Sequence, residues 1–588
     1  MDNKKIKIVS IISIIALALT LVAATYAYFV AQTGEGAQTD IKINANTVDA
    51  FTFEVGSALN LSLNQENFAS GKGNQTGTTF AKAMLSANNK TNTATEHYYL
   101  YLNISNNTFT YSIDNNTPEI LLSIKDGSNN EITSVSGLTY KTVTDGKGAS
   151  IKGFDITKKS GLITILNNRE ITTTSSKTEQ WNVTVTFVNY NSNQAGNAGK
   201  NFTAKLMIQK EKILTLAEHV ISQYTGTQGD NALYYHNSSL TNGAGDNSYR
   251  YAGGDYVLTD AGKATGATMM IGYNNSVTTA LIDFYCNGTK QFVGYGCSSS
   301  QTHYYLIKGD TTQYQTYNEV LNASVEKGYL TKDNVKNFVC FGTDASPCPT
   351  ENLYRIIGVF NNQVKLVKWD YAKSSLLGTD GDFSREYTNY YFSGEQGESP
   401  SSNSLYYWNN AGTNTWSESN LNKINLNTNF VNNIGTTWAE KIATTTWKVG
   451  GGSLDNIETS VPKAAYQYEV GSSASTTTYD AKIGLMYVTD YYYGASPSAW
   501  TLVGYNESDA TKDYRFSKGE NWLYGGGWDW TISRDSAISN SAFVVNNDGD
   551  VDDSDVSNSD GVRPSFNLLS STTYVSGSGS MSDPVRVN

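Results

Sequence analysis

Apolar and polar positions alternate most regularly between Trp181 and Gln209. Trp181, Val183, Val185 and Phe187 alternate with Asn182, Thr184 and Thr186, and Phe202, Ala204, Leu206 and Ile208 alternate with Thr203, Lys205 and Gln209. A period of two turns one strand face to a core and the other to water. Further apolar runs at 41–43, 51–55, 98–104, 119–124 and 162–166 are separated by Asn-, Gly- and Ser-rich loops. Short strands with turn signals between them predict a β-sandwich over 32–211.

The period changes at Lys212. Leu214, Leu216, Ala217, Val220, Ile221 and Tyr224 fall at helical spacing and predict a short amphipathic helix over 213–224 that opens a second domain. Val320, Leu321, Val325 and Leu330 predict another over 317–330. LYRIIGVF, Asn361-Asn362 and QVKLVKWD read as a β-hairpin, because Asn tolerates the positive φ of a tight turn. Leu421, Ile424, Leu426, Phe430, Val431 and Ile434 predict one or two short helices over 417–434, with Ser417 or Ser419 as cap and a helical continuation over 438–447. Residues 483–490, 528–533 and 542–546 read as strands, and two short strands flank a Gly/Ser turn near the end.

One stretch fits neither period. From Ile8 to Ala31 the chain carries no charge, and Lys4, Lys5 and Lys7 precede it. About 20 apolar residues cross a bilayer as a helix, and flanking lysines stay on the cytoplasmic side. Two readings stay open. Ala23, Ala24 and Ala27 suit cleavage of a signal peptide. Tyr28, Phe29 and Val30 instead prolong the apolar run, as in an uncleaved anchor. Either way, 32–588 is expected outside the cytoplasmic membrane: on its outer face, on the cell surface, or secreted. The sequence has no sorting signal, apolar C-terminal tail or N-terminal cysteine for lipid, so this segment is the expected membrane attachment.

Composition agrees with an extracellular, mainly β chain. At 588 residues several domains are expected, and charged residues make up only 16%. Forty Tyr and 51 Gly against 8 Pro favour strands and Asn/Gly turns. A net charge of −12 without a basic patch argues against nucleic acid as a partner. The cysteines suggest two disulfides, Cys286–Cys297 and Cys340–Cys348. Their spacing is too wide for a zinc site, and His97, His219, His236 and His303 are scattered.

The stretch from Lys4 to Phe29, followed by VDAFTFEV (48–55), resembles the camelysin/TasA type of secreted surface protein. That resemblance covers the first third and implies a jelly-roll-like sandwich, some of whose members form extracellular fibres by exchanging strands. No His-Glu-x-x-His helix supports a protease here. Towards the other end stand NLYRIIGVF, IATTTWKVGG, IGLMYVTDYYYG, WDWTISRDS, AFVVNNDGDV and GVRPSFNL, in that order. The set resembles a C-terminal module of Firmicute surface proteins, similar to the formylglycine-generating-enzyme branch of C-type-lectin-like folds. SYRYAGG and NFVCFG look like neighbouring parts of it, with 255–337 inserted between them. The expected architecture is a mainly β, multidomain chain. It comprises a signal or anchor (1–31), a β-sandwich (32–211), the start of a second domain with a disulfide-bearing insertion (212–351), and an α+β C-type-lectin-like module (352–588).

An oxidase of that branch would need redox-active or copper-binding cysteines in the module, and cysteine stops at Cys348. No Gly-x-Ser-x-Gly elbow appears and His303 is the last histidine. The expectation is therefore a non-catalytic, adhesin-like display protein for a host or matrix glycan or protein. A fibre or matrix subunit that self-assembles, and a carbohydrate-active enzyme with a carboxylate pair, are the alternatives. No cofactor is expected, with calcium as the one candidate. Asp548, Asp550 and Asp552 have D-x-D-x-D spacing that can offer oxygens to calcium, although Ser559 stands where an EF-hand needs its Glu. The competing reading is a solvated hairpin turning at Asp548-Gly549. Trp522 and Tyr524 precede three glycines and are the candidate sugar-stacking rings, while Trp528 and Trp530 read as core. Tyr491 and Tyr492 read as structure or as the rim of a site.

Overall fold

The computed structural model describes residues 50–588, apart from 64–66, 68–71, 88–91, 272–277, 292–300, 316, 332–334, 395–396 and 475–476. The apolar segment from Ile8 to Ala31 and the strand expected at 41–43 lie outside the described residues. Among those described, no helix is long and apolar enough to cross a membrane. The chain is mainly β and divides into two compact units after Lys212.

The first unit holds β1 (Ala50–Val55), β2 (Leu59–Ser62), β3 (Gln75–Ser86), β4 (Ala94–Asn107), β5 (Ile120–Asp126), β6 (Tyr140–Thr144), β7 (Ser150–Asp155), β8 (Gly161–Thr173), β9 (Ser176–Phe187) and β10 (Asn201–Gln209). They form two antiparallel sheets, ordered β1-β3-β9-β5-β7-β6 and β2-β10-β4-β8. One core joins them. Leu59, Leu100, Leu102 and Phe202 from the smaller sheet pack with Leu122, Val183, Val185 and Phe187 from the larger. The period of two in β9 and β10 is thus the inward face of a two-sheet sandwich. Trp181 obeys it at a polar cost that is met: its Nε1 donates to the Tyr98 hydroxyl at 2.8 Å, which donates to Glu179 at 2.7 Å.

The second unit opens with the helix Leu216–Ser222, where Thr215 and Glu218 form a reciprocal capping box. Its central antiparallel sheet runs Leu233–Tyr235, Tyr249–Tyr251, Leu353–Phe360, Gln363–Lys368, Pro564–Asn567, Ile483–Leu485, and Phe338–Cys340 also pairs with Leu353–Phe360. The predicted hairpin is present, with Asn361 at φ 50° and Asn362 at φ 62°. Gly358 sits at a register shift, where a Cβ would lie 2.2 Å from the Tyr249 carbonyl oxygen. Strands from both sides of residue 352 share this sheet, so 213–588 is one unit. Within it, Ala280–Cys286, His303–Ile307 and the helix Tyr317–Glu326 build a separate core around Leu281, Ile282, Ile307, Val320 and Leu321, where the insertion was expected. Cys340 and Cys348 are bonded. Cys286 is also disulfide-bonded, and Cys297 lies outside the described residues.

Three local expectations change. Residues 438–447 do not continue a helix: a turn at Thr436–Ala439 gives way to the strand Thr445–Lys448, which pairs with Thr478–Ala481. The helix expected over 417–434 is π-wound at Leu421–Phe430 before a last turn at Val431–Asn433. Asn425 within it satisfies its amide on the Leu377 and Asp380 carbonyls. The strand expected at 483–490 stops at Leu485, and Val488–Gly494 is a helix. Buried Glu469 decides that start: its carboxylate accepts from the backbone N–H of Val488 and of Thr489, each at 2.8 Å.

Candidate binding pocket

The hairpin, the helix Val488–Gly494 and the strand Thr445–Lys448 surround a cavity of about 290 Å³ in the second unit. Its floor is charged. Arg250 is buried in the Tyr249–Tyr251 strand, and its Nη2 donates to Asp246 at 2.7 Å and its Nε to Ser248 Oγ at 2.8 Å. Arg250 Nη1 also lies 3.7 Å from Asp490 Oδ1. Lys365, buried in the next-but-one strand, donates to Asp490 Oδ2 at 2.5 Å. That same oxygen caps the Tyr487 backbone N–H at 2.9 Å. Two cations therefore meet two carboxylates.

The electrostatics follow from that pairing. Burial alone would raise the Asp246 carboxyl, but the Arg250 charge and hydrogen bonds from Ser248 and Arg250 hold it well below the usual carboxylate range. Burial lowers the Lys365 ammonium, and Asp490 pulls it back up. Taking these ions out of water is costly, and only the mutual pairing offsets it. Aromatic faces share the load. Lys365 Nζ is 4.3 Å from the Tyr487 ring centre and 5.3 Å from that of Trp447, and the Arg250 guanidinium is 4.7 Å from that of Phe360.

The rim is aromatic and polar, with Lys448 donating to the Val470 carbonyl at 2.7 Å. Phe360, Tyr466, Tyr487 and the aliphatic Val470 stand with Asn361, Gln363, Thr445 and Thr446 around the opening. Trp447 is buried below, and a Cβ on Gly484 would lie 2.8 Å from its ring, so only glycine lets that indole lie flat. Asn567 donates to Thr445 Oγ1 at 3.0 Å, while its own Oδ1 is buried with no hydrogen-bond partner. A buried acceptor left open on a pocket wall is where a ligand O–H or N–H gains most.

The candidate residues read from sequence fall elsewhere. Tyr491 and Tyr492 are fully buried, and their hydroxyls donate to the Gly549 carbonyl at 2.6 Å and the Ile457 carbonyl at 2.7 Å. They are core, not rim. Trp522 is half-buried, its Nε1 donates to the Tyr251 carbonyl at 3.0 Å, and Arg355 stands 4.8 Å from its ring centre. Tyr524 is buried and donates to the Asn547 carbonyl at 2.5 Å. Neither lines this cavity. Trp530 is core as expected.

The D-x-D-x-D residues do form a hairpin, Ser541–Val545 with Val551–Asp555, turning through Gly549 at φ 92°. They do not form one ligand set. Asp548 sits in the turn, Asp550 faces Arg515 at 3.6 Å, and only Asp552 joins other carboxylates, those of Glu458 and Asp553.

Missed altogether were Asp246, Arg250, Lys365 and Asp490 as a set. For Arg250, Lys365 and Asp490 the signal was charge inside an apolar or aromatic run, as in YRY, QVKLVK and VTDYYY, whereas Asp246 lies in a polar turn-rich stretch. SYRYAGG, NLYRIIGVF, QVKLVKWD, IATTTWKVGG, IGLMYVTDYYYG and GVRPSFNL each place at least one residue on the pocket. No family model matches this chain, and no curated protein matches it either.

Proposed function

We propose that this chain is a non-catalytic cell-surface or secreted bacterial protein whose second unit, a C-type-lectin-like module, displays a pocket for a neutral glycan. The observation that carries the reading is the composition of that pocket. Aromatic rings at a polar rim suit the apolar face of a sugar, and amides and hydroxyls suit its edge. A cavity of about 290 Å³ suits a small ring system. The pairing of both carboxylates with Arg250 and Lys365 favours binding over catalysis, since a general acid needs a raised carboxyl and Asp246 is held low. A bonded Cys340–Cys348 pair suits an oxidising exterior. Array binding of the full chain tests this. Tyr466→Ala and Gln363→Ala are expected to weaken any bound glycan by about tenfold or more while leaving the melting curve cooperative. Uniformly blank arrays would remove the reading.

The fibre reading rests on a different observation. Among the described residues β1 and β6 end one sheet of the first unit, and β2 and β8 end the other. Terminal strands offer unpaired backbone groups to another chain, and a jelly-roll-like sandwich that exchanges strands would use them. Electron microscopy of the first unit alone distinguishes the two: filaments favour assembly as the primary role, and monodisperse particles favour display.

A further inference from the structure

Away from the pocket, a second cluster is acidic, and among the described residues no salt bridge reaches Glu458, Asp552 or Asp553. Glu458 follows the short helix Leu454–Ile457, and its backbone carbonyl accepts from the Tyr505 N–H at 3.0 Å. That anchors the residue while its side chain turns inward, 3% exposed, with Oε2 buried and without any hydrogen-bond partner. Asp552 and Asp553 come from the hairpin strand Val551–Asp555 and are half-buried. One carboxylate oxygen from each of the three lies within 4.8 Å of the others. Asp550 and Asp535 stand around them, each buried with one orphaned oxygen of its own. Arg515 is bound to Asp513 at 2.5 Å and lies 3.6 Å from Asp550.

A buried carboxylate with an empty lone pair, facing two more carboxylates, is a costly arrangement unless a cation completes it. We propose that Glu458, Asp552 and Asp553 hold a calcium ion. The donor set is oxygen only, which suits a hard cation and excludes the softer ligands zinc prefers. Calcium accepts irregular oxygen sets, whereas magnesium demands near-ideal octahedral geometry and keeps most of its waters, so a three-carboxylate cluster from two segments suits calcium. Asp552 and Asp553 are exposed enough to admit the waters that fill the remaining positions.

The ion ties two parts of the fold together. It joins the 541–555 hairpin to the segment that continues into the helix Pro462–Glu469, whose Tyr466 stands on the pocket rim. This inference does not depend on the glycan reading, because none of the three ligands lines the pocket.

The test uses the full chain in detergent micelles, stripped with a chelator and titrated with calcium chloride by calorimetry. A dissociation constant on the order of 10⁻⁴–10⁻³ M is expected, the range of extracellular calcium modules, with a rise in melting temperature. Glu458→Gln, and Asp552→Asn with Asp553→Asn, are each expected to weaken binding by about tenfold or more. Glu458→Gln also removes a buried like charge, so in calcium-free buffer it should melt no lower than the parent, which separates lost binding from lost fold. Asp548→Asn is expected to bind calcium as the parent does. Absence of saturable binding up to about 10 mM, parental affinity in Glu458→Gln, or loss of binding in Asp548→Asn would each overturn the proposal.

Discussion

Two charged clusters in the second unit are built on opposite terms. On the pocket floor, Arg250 and Lys365 are matched by Asp246 and Asp490, each within 4.0 Å of an opposite charge. Around Glu458, carboxylate faces carboxylate and the one nearby arginine is already engaged. The first arrangement is complete within the protein and can hold a rigid, neutral floor under a ligand. The second leaves a buried Glu458 oxygen without a hydrogen-bond partner, and it is there that a calcium ion is proposed. The difference shows that burial of charge does not by itself mark a site; the sign balance among neighbours says what kind of site it is.

Breaking the balanced cluster should have the largest effect. Asp490→Asn leaves Lys365 and Arg250 short of a buried counter-charge, and unfolding of the second unit should become easier by about 3–5 kcal/mol in denaturant melts. A loss below about 1 kcal/mol would mean that water already reaches this floor.

Lys368 sharpens the comparison, because it is a buried cation to which no ion pair is matched among the described residues. Burial pushes its ammonium down to about 8, with Asp370 pulling weakly the other way. A lysine lowered in the folded state loses its proton there before it does in the unfolded chain, whose value is 10.5. Stability should therefore rise as pH climbs from about 8 to 10.5, by about 3 kcal/mol. Lys368→Met should abolish that rise and be more stable than the parent at pH 7. A flat profile in both proteins would show that the ammonium reaches water.

Smaller effects calibrate the scale. Thr215→Ala removes one half of the capping box on Leu216–Ser222 and should cost about 1 kcal/mol. Lys82→Ala breaks a partly exposed pair with Glu54, 3.0 Å apart, and should change the stability of the first unit by less than about 1 kcal/mol.

How much of this was legible in the sequence follows the range of the forces involved. The sandwich strands were readable because Val183, Val185 and Phe187 each face the same core while Asn182 and Thr184 between them stay partly exposed. The hairpin was readable because Asn361 and Asn362 carry the turn themselves. The helix Val488–Gly494 was not, since Tyr491, Tyr492 and Tyr493 are apolar on every side and read equally well as a strand; Glu469, some twenty residues earlier, settles the matter by capping its start. The pocket was out of reach for the same reason. Its residues run from Asp246 to Asn567, and only the order of strands in the sheet brings them together. Trp522 and Tyr524 looked like ligand contacts beside a flexible glycine run, but Gly525 instead lets Tyr371 approach, its hydroxyl 2.5 Å from where a Cβ would stand.

The central claim is that the pocket between Arg250, Lys365 and Trp447 is where the ligand binds. Calorimetry with the glycan selected on the array tests it most directly, comparing the parent with Tyr466→Ala on the pocket rim and Trp522→Phe outside the pocket. The account predicts affinity reduced by about tenfold or more in Tyr466→Ala and unchanged in Trp522→Phe. Unchanged affinity in Tyr466→Ala together with loss in Trp522→Phe would contradict it and return the site to the glycine-flanked rings.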